Sequence, residues 1–139
     1  MTGAAATRTE RFTLELPPDA AHVSAARLFA ATVARQAGVA EDLLDDVKVA
    51  IGEACARGLA TAPDRPLSVA AQRHHARLVF EVSQGEPPSV TPGDLTSTPT
   101  PQELAAGLNL ELITALFEDA DVVEERDGVA AVRFSVPAD

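Results

Sequence analysis

Strict alternation opens the readable part of the chain. In RFTLEL, Phe12, Leu14 and Leu16 fall on one side and Thr13 and Glu15 on the other, the two-residue period of a half-buried strand. Pro17 and Pro18 stop it, since neither can donate to a sheet ladder. The period then changes. Val23, Ala26, Ala30 and Val33 recur at helical spacing up to Gln36, with Asp19 placed to cap the start and Gly38 to end the helix. A second helical run, from about Glu41 to about Ala62 before Pro63, carries Leu43, Val47, Ala50 and Ala54 as one stripe. Leu44, Ile51, Cys55 and Leu59 widen that stripe.

Alternation returns in LSVAA and ARLVFEV, which QRHH joins into a hairpin with Leu78, Phe80 and Val82 inward. Residues 84–102, QGEPPSVTPGDLTSTPTPQ, are proline-rich and poor in large apolar side chains. A loop of that length inside a compact domain points to a functional or mobile segment, a lid for instance. Leu108, Leu112, Ile113, Leu116 and Phe117 then mark a third helix. The chain closes with DVVEERDGVAAVRFSV, two strands around Asp127-Gly128, a strong hairpin signal. Residues 1–9 read as a disordered tail, and residues 10–137 as a single domain without internal repeats. The order β-α-α-β-β-loop-α-β-β predicts an α/β two-layer sandwich. Its sheet would be mixed, mostly antiparallel and five-stranded, with three helices on one face.

Composition narrows the function classes. An apolar share of 46% suits a globular core, but with five Phe and no Trp or Tyr that core must be mainly aliphatic. The net charge of -10 argues against nucleic acid and against an anionic membrane surface, because phosphates would repel the chain. The one cysteine, Cys55, rules out an internal disulfide and fits a reducing compartment. With no apparent signal peptide and no apolar run near the roughly 20 residues of a membrane helix, the expectation is a cytoplasmic protein.

Candidate chemistry is sparse. Glu53 and Arg57 stand four residues apart on one face of the second helix, either a catalytic carboxylate with a neighbour or an ordinary ion pair worth about 0.2–0.5 kcal/mol. His74 and His75 fall in a tight turn without the three or four ligands a metal needs, and read as solvent-facing. Cys55 lies on the apolar stripe as a small buried hydrophobe, with no basic neighbour on its own face to activate it. No metal site is expected.

Three stretches carry a family resemblance: DVKVAIGEACARGLATA, ARLVFEVSQGEPPSV and GLNLELITALFEDADVVEERDGVAAVRF. In order and spacing they are similar to the histidine-kinase-like ATPase superfamily, the Bergerat fold, and within it to the short anti-sigma-factor serine kinases of bacterial partner-switching systems. The resemblance spans about Phe12 to Val136. It implies that Glu53 matches the family's general base, a carboxylate able to take a serine or water proton. It also implies that Arg57 stands where the family has the asparagine that binds magnesium. A guanidinium has only N–H donors and cannot ligate a metal. Gln84 falls at the adenine-binding aspartate and Glu86 at a nucleotide-contacting glycine. Gly107 keeps one of two phosphate-loop glycines, and Asn109 replaces the other. With every box altered, the resemblance implies a decayed nucleotide site and a regulatory module that works by protein binding, with no cofactor. Its partner would be a sigma factor or an anti-anti-sigma protein of the STAS type, and the same resemblance is compatible with a homodimer. Two alternatives stand beside it. One is an active serine protein kinase using ATP and magnesium on such a partner, and the other is a ligand sensor or structural subunit that reuses the pocket.

Overall fold

The computed structural model describes residues 10–84, 110–124 and 130–139. Within them the chain forms β1 (Arg11–Leu16), a 3-10 turn (Ala20–His22), α1 (Val23–Gln36), α2 (Glu41–Thr61), β2 (Leu67–His74) and β3 (Arg77–Gln84). Helix α3, described over 110–116, leads to β4 (Asp121–Glu124) and β5 (Ala130–Pro137). The tail 1–9, the loop beyond Gln84, the Asp127-Gly128 turn, and Glu86, Gly107 and Asn109 lie outside the described residues.

One five-stranded sheet has the order β1-β2-β3-β5-β4, with all four pairings antiparallel. The chain path explains why no parallel pair forms. Between β1 and β2 the helices α1 and α2 run back and forth, so β2 enters against β1. Strands β3 and β4 point the same way, but β5 lies between them. The expected α/β two-layer sandwich is therefore present, and its sheet is antiparallel throughout.

Alternation decides which side of the sheet is closed. Leu67, Val69 and Ala71 of β2, Leu78, Phe80 and Val82 of β3, and Val132, Phe134 and Val136 of β5 are all buried in one core. Ala26, Ala30 and Ala34 of α1 and Val47, Ile51, Ala54 and Cys55 of α2 close it from above, with Ile113 and Phe117 from the third helix and its end. Small residues on α1 allow close approach to α2, which suits a core short of aromatics. Phe134 stacks between Phe80 and Phe117, with centroids 5.3 and 4.7 Å away. These three rings supply most of the aromatic packing.

The helix ends follow their local chemistry. The Asp19 carboxylate accepts from the Ala21 N–H at 3.0 Å, capping the 3-10 turn that leads into α1. At the other end Gly38 adopts φ +86°, and the Gly38 and Val39 N–H groups return to the Arg35 and Ala34 carbonyls. That is a Schellman termination, and a side chain at Gly38 would also strike Asp139.

Two expectations need correction. The segment QRHH is not a turn: β2 runs through His74, and only His75 and Ala76 separate it from Arg77. His75 takes φ +56°, a left-handed geometry that histidine tolerates better than most residues. In α3, Leu112 and Leu116 are exposed by 53% and 36%, so among the described residues the buried ones of this helix and its end are Ile113 and Phe117; Leu108 lies outside the described residues. The apolar stripe is wider than the contact it makes.

Candidate functional site

The candidates that fall within the described residues lie on helix α2 and at the end of β3. Glu53, Arg57 and Gly58 lie on the C-terminal half of α2, and Gln84 closes β3. Gln84 continues the inward row of Leu78, Phe80 and Val82, which turns its side chain toward the helix layer. There it meets Gly58: a Cβ at that glycine would lie 3.2 Å from the Gln84 Cδ and 3.3 Å from a Leu67 methyl. Glycine is what lets the helix end approach the sheet this closely.

The Gln84 amide is already engaged. Its Nε2 donates to the Ala62 carbonyl at 2.7 Å and, at 3.4 Å, to the Arg65 carbonyl. Both neighbours are acceptors, so the NH2 group must face them and Oε1 must point the other way. Gln84 thus ties the end of α2 and its connection to β2 onto the sheet. An aspartate at the same place would offer no donor to these carbonyls.

Arg57 is half-buried, and its Nε is fully buried without a hydrogen-bond partner among the described residues. The i,i+4 spacing from Glu53 therefore gives this nitrogen no acceptor. A helical ion pair contributes too little to hold an arginine stem away from available packing. Glu53 is itself half-buried and has an interaction of its own. Spacing brought the two residues to one face without deciding where their ends go.

Cys55 is fully buried, and burial pushes its thiol up from 9.0 to about 12, against the opposing pull of the Arg27 guanidinium. The thiol stays protonated and inert. Arg27 is the residue that sequence reasoning missed. It comes from α1 and lies across Gly52, whose Cβ position is 3.1 Å from its Nη1. Only the packing of α1 on α2 brings this cation near Cys55. A lone glycine in the middle of a strongly helical run was the available signal.

Elsewhere polar groups serve as braces. Ser135 is buried on the open side of the sheet, where its hydroxyl accepts from Arg77 Nε at 2.7 Å and donates to Asp119. The Asp119 carboxylate also takes the Ser135 N–H at 3.2 Å, beyond the point where β4 stops pairing. Among the described residues no group of three or more His, Cys, Asp or Glu gathers as a metal site. Among the same residues no helix is long and apolar enough to cross a membrane.

Set against known proteins, residues 16–136 match the family model described as the histidine kinase-like ATPase domain. No curated protein matches the chain.

Proposed function

The chain belongs to the histidine kinase-like ATPase family, and on that premise we propose that it is a regulatory binding module rather than a working kinase. In this reading it is an anti-sigma-factor-like protein of a partner-switching system, and its nucleotide site no longer takes ATP with magnesium. It acts by holding a sigma factor or a STAS-type anti-anti-sigma protein on its folded surface. Competition between partners, not phosphorylation, releases either one.

The observation that carries the reading is the state of Gln84, where the resemblance puts the adenine contact. Its amide protons are committed to the Ala62 and Arg65 carbonyls, so the side chain is held as a brace of the scaffold, with only Oε1 left as an acceptor. Arg57 supports the same conclusion. A magnesium ion takes oxygen ligands, and a guanidinium offers none. The absence of an oxygen donor at the position the resemblance gives to the magnesium ligand supports this reading.

Calorimetry of the full chain with ATP and magnesium tests the reading. No heat of binding is expected for the native protein, and clear micromolar binding would sink the proposal. The variant Arg57→Asn restores an oxygen ligand, and weak magnesium-dependent binding by it would identify Arg57 as the block. Capture of a STAS-type protein or sigma factor should proceed equally with and without nucleotide. Strict ATP dependence of that capture would return the protein to the kinase class.

A further inference from the structure

Helix α3 carries more apolar surface than the core uses. Leu112 and Leu116 lie one turn apart on it, and both stay exposed while Ile113 and Phe117 are buried. A single solvated leucine calls for no explanation, but this pair runs into a groove. Leu116 and Phe117 line that groove together with Leu43, near the start of α2, and with Val136 and Pro137 of β5. Its volume is about 430 Å³, inside the roughly 300–1,000 Å³ of ordinary binding pockets.

The polar groups at the groove decide how an occupant can sit. Arg77 and Asp119 also line it, but both are tied to Ser135. Arg77 donates to the Ser135 hydroxyl at 2.7 Å and to its carbonyl at 3.2 Å, and Asp119 accepts from the Ser135 N–H and hydroxyl. These bonds occupy the Ser135 backbone groups beyond the end of β4, and Pro137 has no N–H to give. An added strand finds no ladder to extend here. What remains is side-chain contact with an apolar floor, the way a helix seats in a groove.

Charge fixes the other side of the occupant. Arg77 and Asp119 offset each other across Ser135, which leaves the Glu118 carboxylate at the groove. Asp42 is exposed beside Leu43, and Glu111 is exposed beside Leu112. The net charge of -10 adds a field of the same sign. We propose that this groove is a docking site for a basic amphipathic helix of a protein partner. Aliphatic side chains of that helix seat against Leu43, Leu116 and Pro137 and continue along Leu112. Lysines or arginines on its flanks meet Asp42, Glu111 and Glu118. The proposal rests on the reading of the chain as a protein-binding module, and adds to it the place and chemistry of the contact.

The probe is a fluorescent synthetic peptide of about 16 residues, with leucines at helical i, i+4 spacing and lysines on the other face. A scrambled peptide of the same composition has no apolar face and controls for plain charge attraction. By anisotropy, the native full chain should bind the ordered peptide ~10-fold or more tightly than the scrambled one. Leu112→Ser and Leu116→Lys, both at exposed positions, should each remove most of that difference. Leu28→Ser, on α1 and exposed by 68%, should leave it unchanged. Glu118→Lys should weaken binding at low salt and much less at high salt. Equal affinity for the two peptides overturns the proposal, as does binding indifferent to both leucine variants. Sedimentation in which the native chain self-associates and Leu112→Ser abolishes it also overturns the proposal, because a second copy then covers the groove. Capture of a sigma factor or STAS-type protein that ignores both leucine variants overturns the groove and spares the binding-module reading. Magnesium-dependent ATP binding, read separately by calorimetry, bears on that reading alone.

Discussion

The two faces of the sheet come from the same five strands, one residue out of step, yet they are held by different physics. On the helix side, Leu67, Phe80, Phe134 and Val136 are completely buried, and their contribution is area removed from water and close packing. On the open side the neighbours are polar and bond sideways. Arg133 reaches Glu81 at 2.8 Å, Arg11 reaches Gln72, and Arg77 and Asp119 brace Ser135. Between these pairs lies a depression of about 330 Å³ lined by Arg11, Ala70, Gln72, His74, Val79, Glu81 and Arg133. The contrast teaches that alternation in a strand divides two tasks: one residue set provides cohesion, and the other provides a patterned surface without costing the core anything.

Breaking the closed face should cost most. Phe134→Ala removes the middle ring of the stack with Phe80 and Phe117 and leaves a cavity under α3. It should lower stability by about 3–5 kcal/mol in urea unfolding. A loss of under 1 kcal/mol would mean that the aliphatic shell alone supports the core.

The same dry side sets a pH dependence through Cys55. Because burial raises the folded thiol from 9.0 to about 12, the folded state keeps its proton where the unfolded chain has lost it. The unfolded state then binds fewer protons, so stability is constant with respect to this group below about 9 and falls between about 9 and about 12. Denaturation curves of Cys55→Ala should lack this group's share of the decline. A thiol reagent at pH 8 should label native Cys55 only at the rate of opening. Rapid labelling of the native protein would contradict a protonated, buried thiol.

The smallest effect belongs to the open face. Glu81→Ala removes the partner of Arg133, a pair whose arginine is about half exposed to solvent. It should cost about 0.2–1 kcal/mol, and less in high salt. A cost near that of Phe134→Ala would erase the distinction between the faces.

Much of this fold was legible because periodicity is a local property. The expected span of α2, from about Glu41 to about Ala62, lies within a residue of the observed Glu41–Thr61. The strand RFTLEL and the inward row Leu78, Phe80 and Val82 stand where alternation put them. What failed was local too, but ambiguous. Strand β2 absorbs Gln72, Arg73 and His74 because ladder pairing with β3 outweighs the polarity of those residues. In α3 the apolar stripe was wide enough to name Leu112 and Leu116, and only the position of the sheet shows that they stay exposed.

The candidate site divides along the same line. Spacing singled out Glu53 and Arg57, the resemblance added Gln84 as a residue to watch, and the family match over residues 16–136 supports the family itself. By itself, then, the sequence determined most of the described elements, the inward row of β3 and the family, since each depends on patterns a few residues long. Tertiary structure alone decided that Gln84 ties down the end of α2, that Arg57 Nε is buried without a hydrogen-bond partner among the described residues, and that Arg27 lies over Gly52 beside Cys55. Side-chain partners depend on what distant segments deliver within about 3 Å, and no spacing along one helix encodes that.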